Sequence, residues 1–346
     1  MGRVGRIRRG RIKSGIGIAL LAGAVAFGAS GCGGTASATS AKGTPSALAS
    51  GSGSPSGGAS TKASPSASPS PTHPAGPPVL LDSMYPVDGE TVGVAQPISI
   101  VFTHSVDPSA RKAVEQALKV TTSVPMTGAW HWFSSRRVDW RPQNYWPSGT
   151  KVSIDADLNN VGDGNGRWGT HNYHHSFTVG ADIESTVNVP GHSMKVYKNG
   201  SLIRTMPIDA GSPDFPSWDG TMAVLDKEPT VRMTSCSVGI DCTKGTPNYY
   251  DLTLPWDVHL TDSGTYVHYS TGDPDPGHSY GSHGCVHLSW DDSKWFFNLT
   301  QPGDPVTITG SPRGKVAGDN GYAAFTLSWS DWLSASSAGA QPTTVG

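Results

Sequence analysis

From Thr35 to about Pro78 the chain is almost entirely Ser, Gly, Ala, Thr, Pro and Lys. Such a stretch carries too little apolar surface to offset its own ordering entropy, so it cannot join a packed core. It divides the chain into a short start, residues 1–32, and a long remainder from residue 79 onward. We read residues 33–78 as a disordered tether. A flexible chain of that length has an r.m.s. span of about 35–40 Å and stretches to about 150 Å. The remainder holds enough Trp, Tyr, Val, Ile and Leu to build cores, and its length allows more than one domain.

The start reads as an export signal. Arg3, Arg6, Arg8, Arg9, Arg11 and Lys13 form a basic head without acidic residues, and a small, apolar run from Ile16 leads into Ala29-Ser30-Gly31-Cys32. The run is short for a full membrane span and is followed by small residues at a cut. A cysteine there reads as a lipobox, with Cys32 the lipid-modified first residue of the mature protein; ordinary signal cleavage is the alternative. The expected location is extracytoplasmic, on the cell membrane through a lipid anchor. The balance of 25 basic and 27 acidic residues gives no global field that favours nucleic acid.

Beyond the tether the patterning is that of strands. Residues 79–180 predict a β-sandwich: Ile98–Phe102, Val138-Asp139-Trp140, Lys151–Ala156 and Ser176–Val179 alternate or are β-rich, with turn residues between them. One short helix is expected over Arg111–Leu118. Asp163-Gly164-Asn165-Gly166 lacks the acidic residue and spacing of a calcium loop and reads as a glycine-rich turn, and His171, His174 and His175 read as a solvated strand start rather than a metal cluster. Residues 181–310 predict a second β-rich domain. Asn199-Gly200 marks a hairpin between Met194–Tyr197 and Leu202–Met206, and further strands are expected at Thr221–Leu225, Tyr250–Leu254, Thr265–His268 and Val306–Ile308. One helix, capped by Ser289 and running to Leu299, follows Cys285, and its dipole is expected to favour a thiolate there. Residues 311–346 form a C-terminal extension, partly packed around Phe325, Trp329 and Trp332 and then disordered over the last dozen residues.

The cysteines sort by position. Cys32 ends the leader, Cys236 and Cys242 predict a disulfide in an oxidising compartment, and Cys285 is left over. Cys285 closes Ser282-His283-Gly284-Cys285, and His268 stands seventeen residues before it. A thiol needs its proton removed to become a strong nucleophile, and an imidazole can take that proton and later return it to a leaving group. Gly284 permits a tight turn that aims successive N–H groups at one point, as an oxyanion hole requires. His283, Cys285 and His287 with the other histidines match no common zinc spacing, so no metal is expected, and the nucleophile-and-base reading calls for no organic cofactor.

The histidine, the gap and the Ser-His-Gly-Cys run resemble the catalytic signature of the L,D-transpeptidases of the YkuD type, in the lipoprotein arrangement of the actinobacterial branch. Tyr85–Gly89 and Trp146–Thr150 resemble turns of the bacterial Ig-like domains that precede such catalytic domains. The resemblance implies a mostly β fold: an Ig-like sandwich, then a catalytic domain with one short helix. It implies Cys285 as nucleophile, His268 as base, and Tyr269 as the residue whose carbonyl orients that base. The N–H groups of His283, Gly284 and Cys285 would hold the oxyanion, and Tyr250, Met233, Ser282 and His287 would line the substrate site. Two departures stand out: His287 replaces the usual arginine or asparagine, and Ser217-Trp218-Asp219-Gly220 replaces a Thr-Pro-x-Gly element.

The implied activity is cysteine-dependent acyl transfer between peptidoglycan stem peptides, giving 3-3 cross-links, with carbapenems acylating the same thiol. The alternatives are an L,D-carboxypeptidase using the same acyl-enzyme and a non-catalytic wall-binding lipoprotein. A papain-like peptidase would place its cysteine before its histidine.

Overall fold

The computed structural model describes residues 76–346; the leader, Cys32 and the tether up to residue 75 lie outside the described residues. Two five-stranded sheets face each other in the first part. One has the spatial order Leu81–Tyr85, Ile98–Phe102, Arg137–Pro142, Thr127–Trp132, Gln341–Pro342; the other runs Thr344–Val345, Leu118–Thr122, Lys151–Ala156, Tyr173–Val179, Glu90–Val92. The alternation of Lys151–Ala156 explains its seat: Val152, Ile154 and Ala156 turn inward, while the residues between them are partly or fully exposed. Ile98, Ile100, Val138, Trp140, Trp146 and Phe177 fill the space between the sheets. The buried Trp146 indole donates to the Gln96 carbonyl at 2.7 Å, which satisfies its only polar group.

The helix of this region spans Pro108–Ala117, starting before the expected Arg111. Asp107 caps it, accepting from Ser109 N–H, and proline occupies the first turn, where its missing N–H costs nothing. Leu118, expected in the helix, opens a strand instead. At the turn 163–166, Asp163 Oδ1 accepts from the N–H groups of Asn165 and Arg167.

The second part holds a five-stranded sheet in the order Ser201–Pro207, Ser193–Lys198, Ile183–Asn188, Pro305–Thr309, Gly220–Ala223, and a four-stranded sheet in the order Asp226–Thr234, Asp251–His259, Tyr266–Tyr269, Val286–Leu288. At the Asn199-Gly200 turn both residues have positive φ, +50° and +74°, the conformation that Asn-Gly tolerates best. Val196, Met206, Val258, Val267, Val286 and Ile308 share one core, closed by Phe296 of the helix Trp290–Leu299. Ser289 caps that helix, accepting from Asp292 N–H.

The two parts are braced together. Gly93 N–H donates to the Pro302 carbonyl at 2.7 Å and Ala95 N–H to Gly303 at 2.9 Å. A Cβ at position 93 would lie 2.2 Å from Asp304 N, so only glycine allows this approach. Arg137, paired with buried Asp139, also donates to the carbonyls of Asp319 and Gly321.

The last dozen residues correct the expectation of disorder. Gln341–Pro342 pairs with Thr127–Gly128 and Thr344–Val345 with Thr121–Thr122, so the tail adds one edge strand to each sandwich sheet. Glu115 holds the approach to those strands by accepting from Ser336 Oγ and from the N–H groups of Ser337 and Ala338. Composition does not reveal this, because short polar edge strands take their order from backbone pairing, not from their own side chains.

Candidate functional site

His268 stands on the central strand Tyr266–Tyr269, paired in parallel with Val286–Leu288 so that His268 and His287 are opposite each other. The four-residue turn that leads into Val286–Leu288 carries Cys285. Gly284 adopts φ +118°, where only glycine rests without strain. A Cβ there would meet no atom nearer than 3.5 Å, so the requirement is conformational and not steric. Ser282 secures the turn: its hydroxyl donates to the Cys285 carbonyl (2.6 Å) and accepts from Gly284 N–H (3.1 Å).

That geometry bears on two expected roles. The Ser282 hydroxyl is occupied by backbone and shapes the turn, and the residue also lines the first of the cavities described below. Gly284 N–H is likewise engaged, which leaves the N–H groups of His283 and Cys285, free of protein acceptors among the described residues, as the available oxyanion donors.

His268 is buried, and its Nδ1 lies 2.8 Å from the Tyr269 carbonyl. A carbonyl only accepts, so the proton is on Nδ1 and Nε2 is left as the basic nitrogen. The Tyr269 ring packs edge-on against Trp290, 5.3 Å between centroids, and takes no part in this contact. Cys285 Sγ accepts from Tyr266 N–H at 3.4 Å and points its S–H towards the Gly264 carbonyl at 3.7 Å.

Burial pushes the Cys285 thiol up to about 12, with the Asp257 carboxyl adding to the effect against the Tyr266 N–H. Burial, then the charge of His287, holds His268 down to about 3. Both shifts favour the neutral forms of the pair at rest, with the thiol half-buried and the imidazole buried. The expected thiolate at a helix N-terminus is corrected: the strand Val286–Leu288 and the Ser289 cap intervene between Cys285 and the helix, and a helix dipole fades within its first turn. Alkylation of Cys285 by iodoacetamide at neutral pH is expected to run about tenfold slower than that of a free thiol. A rate matching or exceeding that of glutathione, itself mostly protonated at neutral pH, would count against a thiolate disfavoured at rest.

Two cavities flank the His283 ring. One, of about 260 Å³, is lined by Met233, Tyr250, Leu254, His268, His283 and His287, among others. The second, of about 330 Å³, lies among Phe215, Tyr250, Gly264, His283 and Arg313. Tyr250 and His283, whose rings are 5.0 Å apart, line both. The Tyr250 phenol is pushed up to about 12, chiefly by burial, so it remains a hydroxyl donor at neutral pH. His287 is fixed by Asp273, Nδ1 to Oδ2 at 2.9 Å. The loop bearing Asp273 is itself anchored on buried Asp209, whose Oδ1 accepts from the N–H groups of Gly277, His278 and Ser279. Burial opposes the Asp209 charge, but those donors hold its carboxyl below the usual range.

Cys236 and Cys242 are joined, S–S 2.03 Å, in the connection between the strands that bear Met233 and Leu252. Closing so small a loop stabilises by about 2 kcal/mol. A Cys236→Ser/Cys242→Ser protein is expected to lose that amount in urea unfolding, and an unchanged midpoint would count against it.

Asp209, Asp257 and Asp273 join the site without belonging to any motif of the sequence. The sequence predicts a strand over Tyr250–Leu254, whereas the strand runs from Asp251 to His259 with an irregularity at Trp256, φ +62°. A charged residue within a β-rich run is the one available signal for Asp257.

The chain resembles known proteins along both parts. The L,D-transpeptidase catalytic domain family matches residues 183–308 and the bacterial Ig domain family residues 60–162. L,D-transpeptidase 2 of Mycobacterium tuberculosis is 31% identical over 266 residues, 76% of this chain, which spans 62% of that relative's length. L,D-transpeptidase 1 of the same organism is 33% identical over 229 residues, 66% of this chain and 84% of the relative. Among solved structures, LdtMt1 in complex with imipenem is similar with TM-score 0.57 and 33% identity, covering 67% of this chain and 99% of that one. L,D-transpeptidase 3 of Mycobacterium tuberculosis in complex with a faropenem-derived adduct gives TM-score 0.55 and 29% identity, covering 66% and 98%. The mostly β architecture and the likeness across most of L,D-transpeptidase 1 agree, and the chain belongs to the L,D-transpeptidase family.

Proposed function

We propose that the protein is an exported, cysteine-dependent L,D-transpeptidase that joins peptidoglycan stem peptides in 3-3 cross-links. The observation that carries the reading is the fixed tautomer of His268: with Nδ1–H tied to the Tyr269 carbonyl, Nε2 is left to accept a proton. Cys285 Sγ attacks the donor carbonyl as its proton passes to His268 Nε2, so the thiolate exists only as the new C–S bond forms. The His283 and Cys285 N–H groups hold the oxyanion. The bond to the terminal D-residue breaks, and its amine leaves with the proton from His268. An acceptor amine then gives a proton to His268 and attacks the thioester, and the regenerated thiol recovers that proton.

The two cavities meeting at Tyr250 and His283 supply separate approaches for donor and acceptor. His287, held by Asp273, presents its second ring nitrogen as a polar partner for substrate where the family has arginine or asparagine. Residues 79–180 act as an Ig-like domain, residues 181–310 as the catalytic domain and residues 311–346 as an extension strapping the two. A lipid on Cys32 would anchor the enzyme at the membrane, with the tether extending it into the wall.

The test is incubation of the purified chain with disaccharide-tetrapeptide fragments. Cross-linked dimers are expected by mass spectrometry. Release of tripeptide alone would make the protein a carboxypeptidase, and unchanged fragments would return weight to a wall-binding role.

A further inference from the structure

His268 lies within a row of titratable side chains that crosses the four-stranded sheet. Antiparallel pairing sets Val258 opposite Val267 and His259 opposite Tyr266, which brings Asp257 beside His268 from one side. Parallel pairing brings His287 from the other. Asp257 is fully buried. Its Oδ2 accepts from Val231 N–H at 3.2 Å; its Oδ1 has no hydrogen-bond partner among the described residues and lies 4.0 Å from His268 Nδ1. Leaving a carboxyl oxygen unpaired in a core is costly.

We propose that Asp257 is a positioning residue for His268: its carboxylate, 4.0 Å from Nδ1, stabilises the imidazolium formed when His268 takes the Cys285 proton, and so sets the pH dependence of acylation. The inference rests on Cys285 and His268 being nucleophile and base. No proton moves to Asp257. The thiol proton goes from Sγ to Nε2 and then to the leaving nitrogen, while Nδ1–H stays on the Tyr269 carbonyl.

The groups around Asp257 are Glu228 on the neighbouring strand, Tyr266 and His268 on the central one, and Cys285 at the turn, with His287 beyond His268. Burial pushes the Asp257 carboxyl up to about 7, against the Val231 N–H and with help from the Glu228 charge. Below that pH it is neutral and gives the imidazolium nothing. Above it the carboxylate is present. His268 itself is held far lower, at about 3, so it does not supply a limb near neutrality, and the Asp257→Asn profile separates Asp257 from His283 and His287.

The experiment follows carbapenem acylation of the full chain, by stopped-flow absorbance, from about pH 5.5 to 9. The parent is expected to accelerate about tenfold through the neutral range, and Asp257→Asn to stay flat at the slow end. An inflection retained in Asp257→Asn overturns the proposal. Since that variant could misfold, a second measurement uses the parent alone: the His268 Nδ1–H resonance in 15N-histidine protein. A step with its midpoint near 7 is expected, and a flat trace overturns the proposal. A parent that takes no carbapenem adduct sinks the reading of the site instead, and the resonance still decides the role of Asp257.

Discussion

Cys285→Ala protein mixed with a carbapenem is expected to keep its unmodified mass, while the parent gains one covalent equivalent per chain. Turnover of stem-peptide fragments is expected to fall by about three orders of magnitude or more, because nucleophile and base act as a unit. His268→Ala should fall nearly as far for the same reason. With the thiol pushed up to about 12 and the imidazole held near 3, neither residue is activated alone at rest. The acyl donor must be in place before the proton moves, so the strained ring of a β-lactam should react where a simple alkylating agent reacts only slowly. A parent adduct that persists in Cys285→Ala would place acylation elsewhere and end the reading of this site.

Trp332→Ala is expected to lower stability by about 3–5 kcal/mol. Trp332 is fully buried against the sandwich although it follows the second domain in sequence. Its indole donates to the Ala129 carbonyl at 2.9 Å, its ring stacks on His131 at 4.6 Å, and the Arg141 guanidinium lies 4.8 Å from its centre. The Trp332 carbonyl accepts from His131 Nδ1 at 2.7 Å. Removing the ring leaves a cavity and a less shielded cation at once. Urea unfolding should show the loss, and amide exchange should show Gln341–Val345 opening with it. Carbapenem acylation should survive at low denaturant, because the catalytic turn lies in the other part. A midpoint shifted by less than about 1 kcal/mol would mean that the tail is not the strap described here.

Much of the local architecture is legible in the amino-acid sequence. Lys151–Ala156 alternates with period two and seats as its alternation dictates. Asn199-Gly200 makes the hairpin turn because few other pairs accept two positive φ values, and Ser289 starts its helix because its hydroxyl meets an orphan N–H. The mostly β class and the family follow from such signals together with the Ser-His-Gly-Cys run.

Other features have no local signature. The strand through Pro255 continues because Asp226–Thr234 pairs along it, while Tyr266–Tyr269 pairs only with Val258 and His259 and leaves Pro255 on an unpaired edge where its missing N–H is tolerated. The tail is ordered by pairing with strands more than two hundred residues earlier.

What the sequence by itself determined was local: which residues turn, cap, alternate and carry reactive atoms, since those preferences reside in φ, ψ and side-chain chemistry a few residues apart. Only the tertiary structure decided the state of the reactive groups. Desolvation favours the neutral forms of Cys285 and His268, Ser282 took up Gly284 N–H, and strand register brought Asp257 to 4.0 Å from the imidazole. Desolvation and cross-strand neighbours set those properties, and both exist only once distant segments are packed together.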